Sequence, residues 1–240
     1  GVKIVIGGVE YGVDSAKVAG AVTEVETTLA GMSGSEEPDV PVEPDIPEVD
    51  GSQGLEYYSY GNGTCCVSGI GTCTDTDVII PSISPDGDKV TSISSYAFSG
   101  CSSLTSISIP DSVTRIDNRA FYNCSSLIYN EYNNGKYLGN SNNPYVVLCE
   151  VIDKSVGSFE IHENAKIIGY YAFENYTSLT SITIPDSVTS IGVGAFENCA
   201  SLASITIPNS VTEIDWYAFK SCTSLVSVTI PDSITSFGGS

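Results

Sequence analysis

The chain has 240 residues, of which 41% are apolar, and 29 acidic against 9 basic residues give it a formal net charge of −20. The apolar content suffices for a folded core, and the charge would repel a phosphate backbone, so we expect no nucleic-acid partner. Its apolar runs are far shorter than the roughly 18 residues that a membrane-spanning helix needs, so we expect no transmembrane segment.

The first 35 residues predict a small β unit. Residues 2–13 form two alternating runs around Gly7-Gly8, which is a β-hairpin signal. Residues 15–30 are ambiguous, because their β-branched content favours strand while four apolar residues fit the spacing of a helical stripe. These four are Val18, Val22, Val25 and Leu29.

Residues 36–54 have the composition of a linker. Proline recurs every third residue from Pro38 to Pro47, and six carboxylates lie between Glu36 and Glu48. Proline at this spacing fits an extended polyproline segment, and the carboxylates keep it solvated. We predict an acidic spacer that leads to a second domain at 55–240.

Residues 55–240 are dominated by a 23-residue repeat. In one copy Cys101 is followed by Leu at +3, Ile at +6 and +8, Pro at +9 and Ala120-Phe121 just before Cys124. A fixed period of this length is typical of a solenoid, whose repeats bury their apolar faces by stacking. The alternation Ile-x-Ile places Ser and Thr outward on a parallel sheet, so we predict a β-rich solenoid with little helix.

The ends and the interruptions of the repeat are also visible. A hairpin over 55–72 is expected to form the N-terminal cap, and six extra residues, 82–87, extend the first repeat. An insertion near 128–150 is rich in Tyr and Asn, and we predict a bulge that does not break the stack. Counting gives six complete coils and a seventh cut short after Phe237, so we expect a piece of a longer protein.

The sequence Ser-Leu-Thr-Ser-Ile-Thr-Ile-Pro-Asp-Ser-Val-Thr-Ser-Ile-Gly at 178–192, followed by Ala-Phe and Asn-Cys, resembles the BspA-type (treponemal-type) leucine-rich repeats of bacterial surface proteins. The resemblance covers about 55–240. It implies a right-handed leucine-rich-repeat solenoid and an extracellular or cell-surface location, with any signal peptide already removed ahead of Gly1.

Four cysteines share one repeat position: Cys101, Cys124, Cys199 and Cys222. They could form a metal site or disulfides, but stacked side chains point the same way, which is poor disulfide geometry, and no histidine accompanies them. We therefore favour a ladder of buried thiols. A Cys65–Cys73 bridge across the cap is an alternative, and the redox state of Cys66 stays open with theirs.

The sequence predicts neither a cofactor nor a metal. Four aspartates near the first repeat could bind Ca²⁺, but they lack the spacing of an EF-hand, so turn formation is the preferred interpretation. They are Asp75, Asp77, Asp86 and Asp88. His162 is the single histidine and replaces the repeat proline, with no nucleophile motif near it, so we expect no enzymatic activity.

The predicted binding surface is aromatic. Stacking brings the two residues before each Ala-Phe pair onto one edge, and Tyr and Trp are efficient anchors for proteins and sugars. Together with the Tyr-rich insertion, the candidates are Tyr96, Arg119, Tyr129, Tyr132, Tyr137, Tyr170, Tyr171, Trp216 and Tyr217. Ordinary covering of the second sheet by large side chains explains the same pattern equally well.

The sequence therefore predicts a non-catalytic protein-binding or adhesion segment of an extracellular bacterial surface protein. Its expected partner is a host or bacterial surface protein, or a glycan. Two alternatives remain: an accessory carbohydrate- or cell-wall-binding module of a larger surface enzyme, and a structural stalk.

Overall fold

The computed structural model describes residues 51–238 and, before them, the backbone of two strands. The chain forms two compact units, 1–47 and 48–240. In the first unit, strands β1 (Val2–Ile6) and β2 (Val9–Val13) pair antiparallel as a hairpin. The ambiguous segment 15–30 and the acidic segment 36–50 lie outside the described residues.

The second unit is a solenoid of about eight turns with parallel sheets. Residues 51–238 contain no helix, in line with the predicted β-rich fold. Its strands are β3 (Glu56–Ser59), β4 (Thr64–Gly69), β5 (Asp77–Ile79), β6 (Lys89–Ile93), β7 (Ser106–Ser108), β8 (Arg115–Ile116), β9 (Asn130–Tyr132), β10 (Gly135–Leu138), β11 (Val147–Val151), β12 (Ser158–Glu160), β13 (Ile167–Ile168), β14 (Ser181–Thr183), β15 (Ser190–Ile191), β16 (Ser204–Thr206), β17 (Glu213–Ile214), β18 (Ser227–Thr229) and β19 (Ser236–Phe237).

The Ile-x-Ile segment of each repeat forms a short strand, as its alternation predicts. Ile107 and Ile205 are buried while Ser106 and Ser204 are exposed, because successive side chains of a strand point to opposite faces. The sequence led us to expect one sheet along this face. The structure has three parallel pairs, β5–β7, β12–β14 and β16–β18, and the insertion separates the first pair from the second.

The second strand of each repeat, Val-Thr-x-Ile, forms longer sheets. The hairpin β3–β4 adds to β6 and β8 in a four-stranded sheet, and β11, β13, β15, β17 and β19 run parallel in a seven-stranded sheet that begins with β9 and β10. Each parallel step joins positions about one repeat apart, such as Ile191 and Ile214. The repeat period therefore sets the register of this sheet.

The insertion is a hairpin that divides the apolar core. Strand β10 pairs antiparallel with β11, placing Tyr137 opposite Leu148 and Leu138 opposite Val147. Because neighbouring residues of a strand face opposite sides, Tyr137 and Leu148 join the C-terminal core cluster, whereas Leu138 and Val147 join the N-terminal one. The insertion thus separates two apolar core clusters inside the solenoid.

Candidate functional site

The Ala-Phe pairs form turns that stack on one edge of the solenoid. The Phe98 and Phe121 rings stack with centroids 5.6 Å apart, and Phe173, Phe196 and Phe219 stack at 4.8 and 5.5 Å. These rings lie inward, so the residues before each Ala face outward along the same edge. The residues before each Ala, here called the aromatic column, are therefore aligned along this edge.

The residue directly before each Ala has a left-handed backbone. Its φ lies between 54° and 60° in all five turns, at Tyr96, Arg119, Tyr171, Gly194 and Tyr217. A left-handed conformation costs a residue with a side chain about 1–2 kcal/mol, and only glycine adopts it freely. Four of the five turns therefore hold a large side chain at a position that suits glycine.

The remaining turn, the fourth in chain order, shows what glycine permits. A Cβ on Gly194 would collide with a ring carbon of Tyr171, so the Tyr171 ring lies directly against this glycine. The rings of Tyr170 and Tyr171 are 4.1 Å apart. Burial raises the pKa of Tyr171 to about 12. These two tyrosines are half-buried and fixed in place.

Arg119 joins two parts of the column. Its Nη1 donates to the hydroxyl of Tyr96 and its Nε to the hydroxyl of Tyr170, both at 3.2 Å. Its guanidinium also lies 5.3 Å from the centroid of the Tyr122 ring, within the range of a cation–π contact. The structure thus brings together three of the predicted residues and adds Tyr122, which is half exposed.

Trp216 and Tyr217 line a cleft of about 460 Å³ in the same unit. Both are more than half exposed, and Lys220 lies 5.2 Å from the Tyr217 ring centroid. Across the cleft are Ser95, Arg115, Asp117 and Asn118. Residues from opposite ends of the repeat array therefore share one concave surface.

An ion pair shows that the stack is not straight. Arg115 Nη1 and Glu213 Oε1 are 3.3 Å apart. Their strands, β8 and β17, are separated by four steps between successive Val-Thr-x-Ile strands, which would span about 19 Å in a straight stack. The array must curve so that these two strands approach each other. This curvature creates the cleft.

The charges of the cleft are partly desolvated. Burial raises the pKa of both Asp117 and Glu213, and the nearby Arg115 guanidinium opposes this shift. Asp215 adds negative charge beside both carboxyls and raises their pKa values further. One arginine thus holds together a group of three acids contributed by both sides of the cleft.

The insertion tyrosines do not share one surface. Tyr129 is half-buried with Lys136 5.7 Å from its ring centroid, and Tyr132 is half-buried against Tyr145 and His162. Tyr137 has no exposed surface, so its place in the predicted binding surface is wrong. The reason is the alternation along β10, which turns Tyr137 into the C-terminal core.

His162 is part of an aromatic cluster. Its ring stacks on Tyr145 with centroids 3.9 Å apart, and its Nδ1 accepts a hydrogen bond from the Asn164 N–H at 3.1 Å. Beside it, Tyr132, Glu160 and Glu163 line a groove of about 590 Å³. The ring is held by these contacts at the strand end where the repeat has lost its proline.

The repeat cysteines form a ladder of thiols. Cys124, Cys199 and Cys222 each donate to the Phe carbonyl of the turn before, at 3.0–3.2 Å, so their thiols point in one direction. All eight cysteines of the chain are free, including Cys65 and Cys73, and burial raises the pKa of Cys124 to about 11. The preferred interpretation of the sequence agrees with this geometry.

Within residues 51–238 and the two described N-terminal strands, no group of three or more His, Cys, Asp or Glu side chains could hold a metal ion. Asp77, one of the four aspartates for which calcium binding was weighed against turn formation, accepts hydrogen bonds from Thr105 and Ser106. Over the same residues, no helix is long and apolar enough to cross a membrane.

Several residues of this edge were missed in the sequence. Tyr122 follows the Ala-Phe pair, whereas only the two residues before it were considered. Arg115 and Glu213 occupy outward positions of Val-Thr-x-Ile strands, and no local pattern shows that these strands approach. Tyr145 belongs to the Tyr-rich insertion that was predicted to be part of the surface, but its contact with His162 depends on the fold.

The sequence of the repeats matches a known family model. The description "BspA type Leucine rich repeat region" fits residues 75–142 and 152–240, in six copies. The chain belongs to the BspA-type leucine-rich-repeat family. The gap between the two matched ranges, residues 143–151, overlaps the end of the predicted insertion and contains β11. This confirms the resemblance inferred from the repeat motif.

Solved structures of bacterial leucine-rich-repeat proteins are also similar. The Treponema pallidum leucine-rich-repeat protein is 23% identical, with 77% of this chain and 83% of that chain covered and a TM-score of 0.35. A leucine-rich cell surface protein of Faecalibacterium prausnitzii is 18% identical over 86% and 97%, with a TM-score of 0.33. The pneumococcal vaccine antigen PcpA is 17% identical over 62% and 45%, with a TM-score of 0.43. No curated protein matches the chain.

Proposed function

We propose that this chain is a non-catalytic protein-binding segment of an extracellular bacterial surface protein, with a role in adhesion to a host or bacterial surface protein. Membership of the BspA-type family supports a protein-binding repeat domain. The proposed contact surface is the edge formed by Tyr96, Arg119, Trp216 and Tyr217.

One observation carries this proposal. The residue before Ala is left-handed in every turn, yet four of the five turns keep Tyr or Arg there. Strained backbone of this kind is concentrated at functional sites, where the side chain compensates for the cost. Tyr96 and Tyr217 remain about half exposed, so burial in the core does not account for their presence.

The cleft fits a protein partner. Tyr and Trp rings at the centre of a concave surface are typical hot-spot residues, and Trp216 and Tyr217 lie beside a polar wall that includes Asn118. The Oδ1 of Asn118 is buried and has no hydrogen-bond partner within the described part of the chain. A partner could donate to this oxygen only after the Asn118 side chain rotates toward the cleft, and that pairing would remove the cost of leaving it unpaired.

A non-catalytic role is supported by the state of His162. Its Nδ1 accepts the Asn164 N–H, and its ring is stacked on Tyr145, so it is occupied by structural contacts. The thiols of the repeat ladder donate to backbone carbonyls, and burial keeps Cys124 protonated near neutral pH.

The test is binding of the purified chain to parallel arrays of extracellular-matrix proteins and glycans. A Trp216→Ala/Tyr217→Ala variant should lose at least ten-fold in affinity for a protein ligand, because both rings line the cleft. Val226→Ala is the matched control, since Val226 is 88% exposed. Equal loss in the control, or no loss in the double variant, would contradict this surface.

A glycan ligand is the second candidate, and the groove beside His162 favours it. An aromatic ring next to carboxylate acceptors suits a sugar, and Tyr132, Glu160 and Glu163 provide this combination. In the same arrays, a glycan signal that is lost with Tyr132→Ala but kept with Trp216→Ala/Tyr217→Ala would favour the accessory carbohydrate-binding module.

A further inference from the structure

The hydrogen-bond ladder of the Ala-Phe turns is interrupted once inside the array. In the first turn three N–H groups, those of Tyr96, Phe98 and Gly100, donate to carbonyls of the second turn at 2.8–3.2 Å. The same ladder joins the last three turns, for example from Phe173 to Ala195 and from Phe196 to Ala218. It does not continue from the second turn to the coil that follows.

The interruption leaves three N–H groups without acceptors. By repeat position, Arg119, Phe121 and Asn123 correspond to the three donors of the first turn. Among residues 51–238, no carbonyl or side chain accepts a hydrogen bond from their backbone N–H groups. The coil that follows carries Val147 and Leu148 at the repeat positions but has no Ala-Phe pair, which is why the acceptors are missing.

A cavity of about 160 Å³ lies at this interruption. Its walls are mainly aromatic rings and aliphatic side chains. They include Phe121, Tyr122, Tyr129, Val147, Cys149 and Tyr170. An apolar cavity of about 150 Å³ engineered into another protein stays dry and binds benzene, so this volume suits one aromatic ring.

The cavity and the free donors lie side by side. Arg119 and Tyr170, whose side chains are hydrogen-bonded, both line the cavity, and Arg119 and Phe121 also supply two of the three N–H groups. The donors lie at every second residue of a turn in which Arg119 and Asn123 have left-handed backbones. In the first turn the matching donors bind carbonyls of another turn of the same shape. A turn-shaped segment could therefore supply carbonyls to them while one of its side chains enters the cavity.

We propose that this cavity is an anchor pocket for one aromatic side chain, Phe or Tyr, on a turn-shaped segment of a partner protein. The carbonyls of the segment accept hydrogen bonds from the N–H groups of Arg119, Phe121 and Asn123. These replace the hydrogen bonds that are missing between the second turn and the coil that follows. The proposal rests on the proposed protein-binding function and names the partner's chemistry: an exposed turn with a protruding aromatic residue.

Two features favour this occupant over others. A water molecule needs two to four polar partners, and these walls are mainly apolar. A flat apolar ligand alone would leave the three N–H groups unpaired, which costs free energy when they are covered. A peptide segment satisfies both the cavity and the donors.

The first experiment titrates the full chain with toluene and with p-cresol, which mimic the Phe and Tyr side chains. We expect saturable binding, with amide shifts in NMR spectra centred on Phe121, Val147 and Cys149. Val147→Phe and Cys149→Leu each place a larger side chain at the cavity wall and should weaken toluene binding at least ten-fold. Val226→Phe, on an exposed position, should leave it unchanged.

The second experiment applies the same variants to the protein ligand identified on the arrays. Cys149→Leu should weaken its affinity at least ten-fold, and hydrogen exchange at Arg119, Phe121 and Asn123 should slow in the complex. Unchanged affinity, or unchanged exchange at these amides, would overturn the proposal.

The two proposals fail in different ways. If neither toluene nor p-cresol binds, the anchor pocket is refuted even where an array protein binds through Trp216 and Tyr217. If the probes bind but no protein on the arrays does, the protein-binding function fails and the partner assignment falls with it. Should Val147→Phe fail to fold, Cys149→Leu and the exchange measurement still decide the matter.

Discussion

The C-terminal turns are regular, whereas the centre of the array is irregular. From Phe173 to Phe219 each turn repeats the last, with stacked rings and an unbroken ladder of hydrogen bonds. Between Phe121 and Phe173 the ladder stops, a hairpin divides the core, and the array curves. The regular turns form a continuous stack, whereas the irregular part curves the array and leaves a cavity beside the second turn.

The largest expected effect compares the two stacks directly. Phe196 is fully buried between two rings, so Phe196→Ala should cost about 3–5 kcal/mol of unfolding free energy. Phe121 is half-buried, has one stacked neighbour and lies beside the cavity. Phe121→Ala should cost about 1–3 kcal/mol, because fewer contacts are lost.

Urea unfolding followed by circular dichroism measures both variants. Phe237→Ala serves as the exposed control, since Phe237 is 61% exposed, and it should change stability little. Equal costs for Phe196→Ala and Phe121→Ala would mean that the second turn is as tightly packed as the regular stack, and the contrast between the two regions would not hold.

A smaller effect is expected from alanine at two turn glycines. Gly194 and Gly100 both have left-handed backbones, so an alanine at either costs about 1 kcal/mol or more. At Gly194 the new Cβ also collides with the Tyr171 ring, whereas nothing lies within 4 Å of a Cβ at Gly100. Gly194→Ala should therefore cost about 2–4 kcal/mol, including the strain of overpacking.

A double-mutant cycle isolates the collision. Adding Tyr171→Ala to Gly194→Ala should recover the excess cost, because the ring that obstructs the Cβ is gone. Thermal unfolding of the four proteins gives the coupling energy. If the two changes are additive, the Tyr171 ring does not rest on Gly194 in solution.

The stability of the chain should depend on pH through carboxyls that two distant coils contribute to the cleft. Burial raises the pKa values of Asp117 and Glu213 against the opposing effect of Arg115, with Asp215 adding to the shift. A carboxyl with a raised pKa in the folded chain contributes stability below its unfolded pKa, and that contribution is lost as pH rises through the folded value. Acidification from pH 7 to pH 4 should thus stabilise the native chain relative to Asp117→Asn/Glu213→Gln.

Asp77 provides a control of opposite sign. Hydrogen bonds from Ser106 and Thr105 lower its pKa, so its contribution to stability is present above the unfolded pKa and is lost as pH falls. Relative to Asp77→Asn, the native chain should lose stability on acidification. Urea midpoints at several pH values compare the three proteins, and a same-sign change in both comparisons would contradict the burial of the cleft carboxyls.

Much of the regular part could be predicted from the sequence. Leu179, Ile184 and Val188 recur at fixed spacing and are buried as expected, because each repeat contacts only its neighbours and the period determines those contacts. The thiol ladder follows from the same rule. The outward Ser and Thr positions were also correct, although the strands form pairs instead of one sheet.

The residues of the proposed binding surface were placed together only in part. Arg119 donates hydrogen bonds to Tyr96 and Tyr170, and Trp216 and Tyr217 line a cleft. The position before each Ala-Phe pair was therefore a useful guide to which residues lie on this edge. Tyr137 was misplaced because its direction depends on the pairing of β10 with β11. That pairing has no repeat partner to reveal it.

The sequence by itself determined the repeat, the family and the buried positions, since these depend on local alternation and on contacts one period apart. Only the tertiary structure decided where the array curves, how the insertion divides the core and which distant residues meet. Arg115 and Glu213 are 98 residues apart in the chain, and their approach depends on the summed geometry of every coil between them. A sequence period carries no record of that sum, because it specifies each step and not the path that many unequal steps produce.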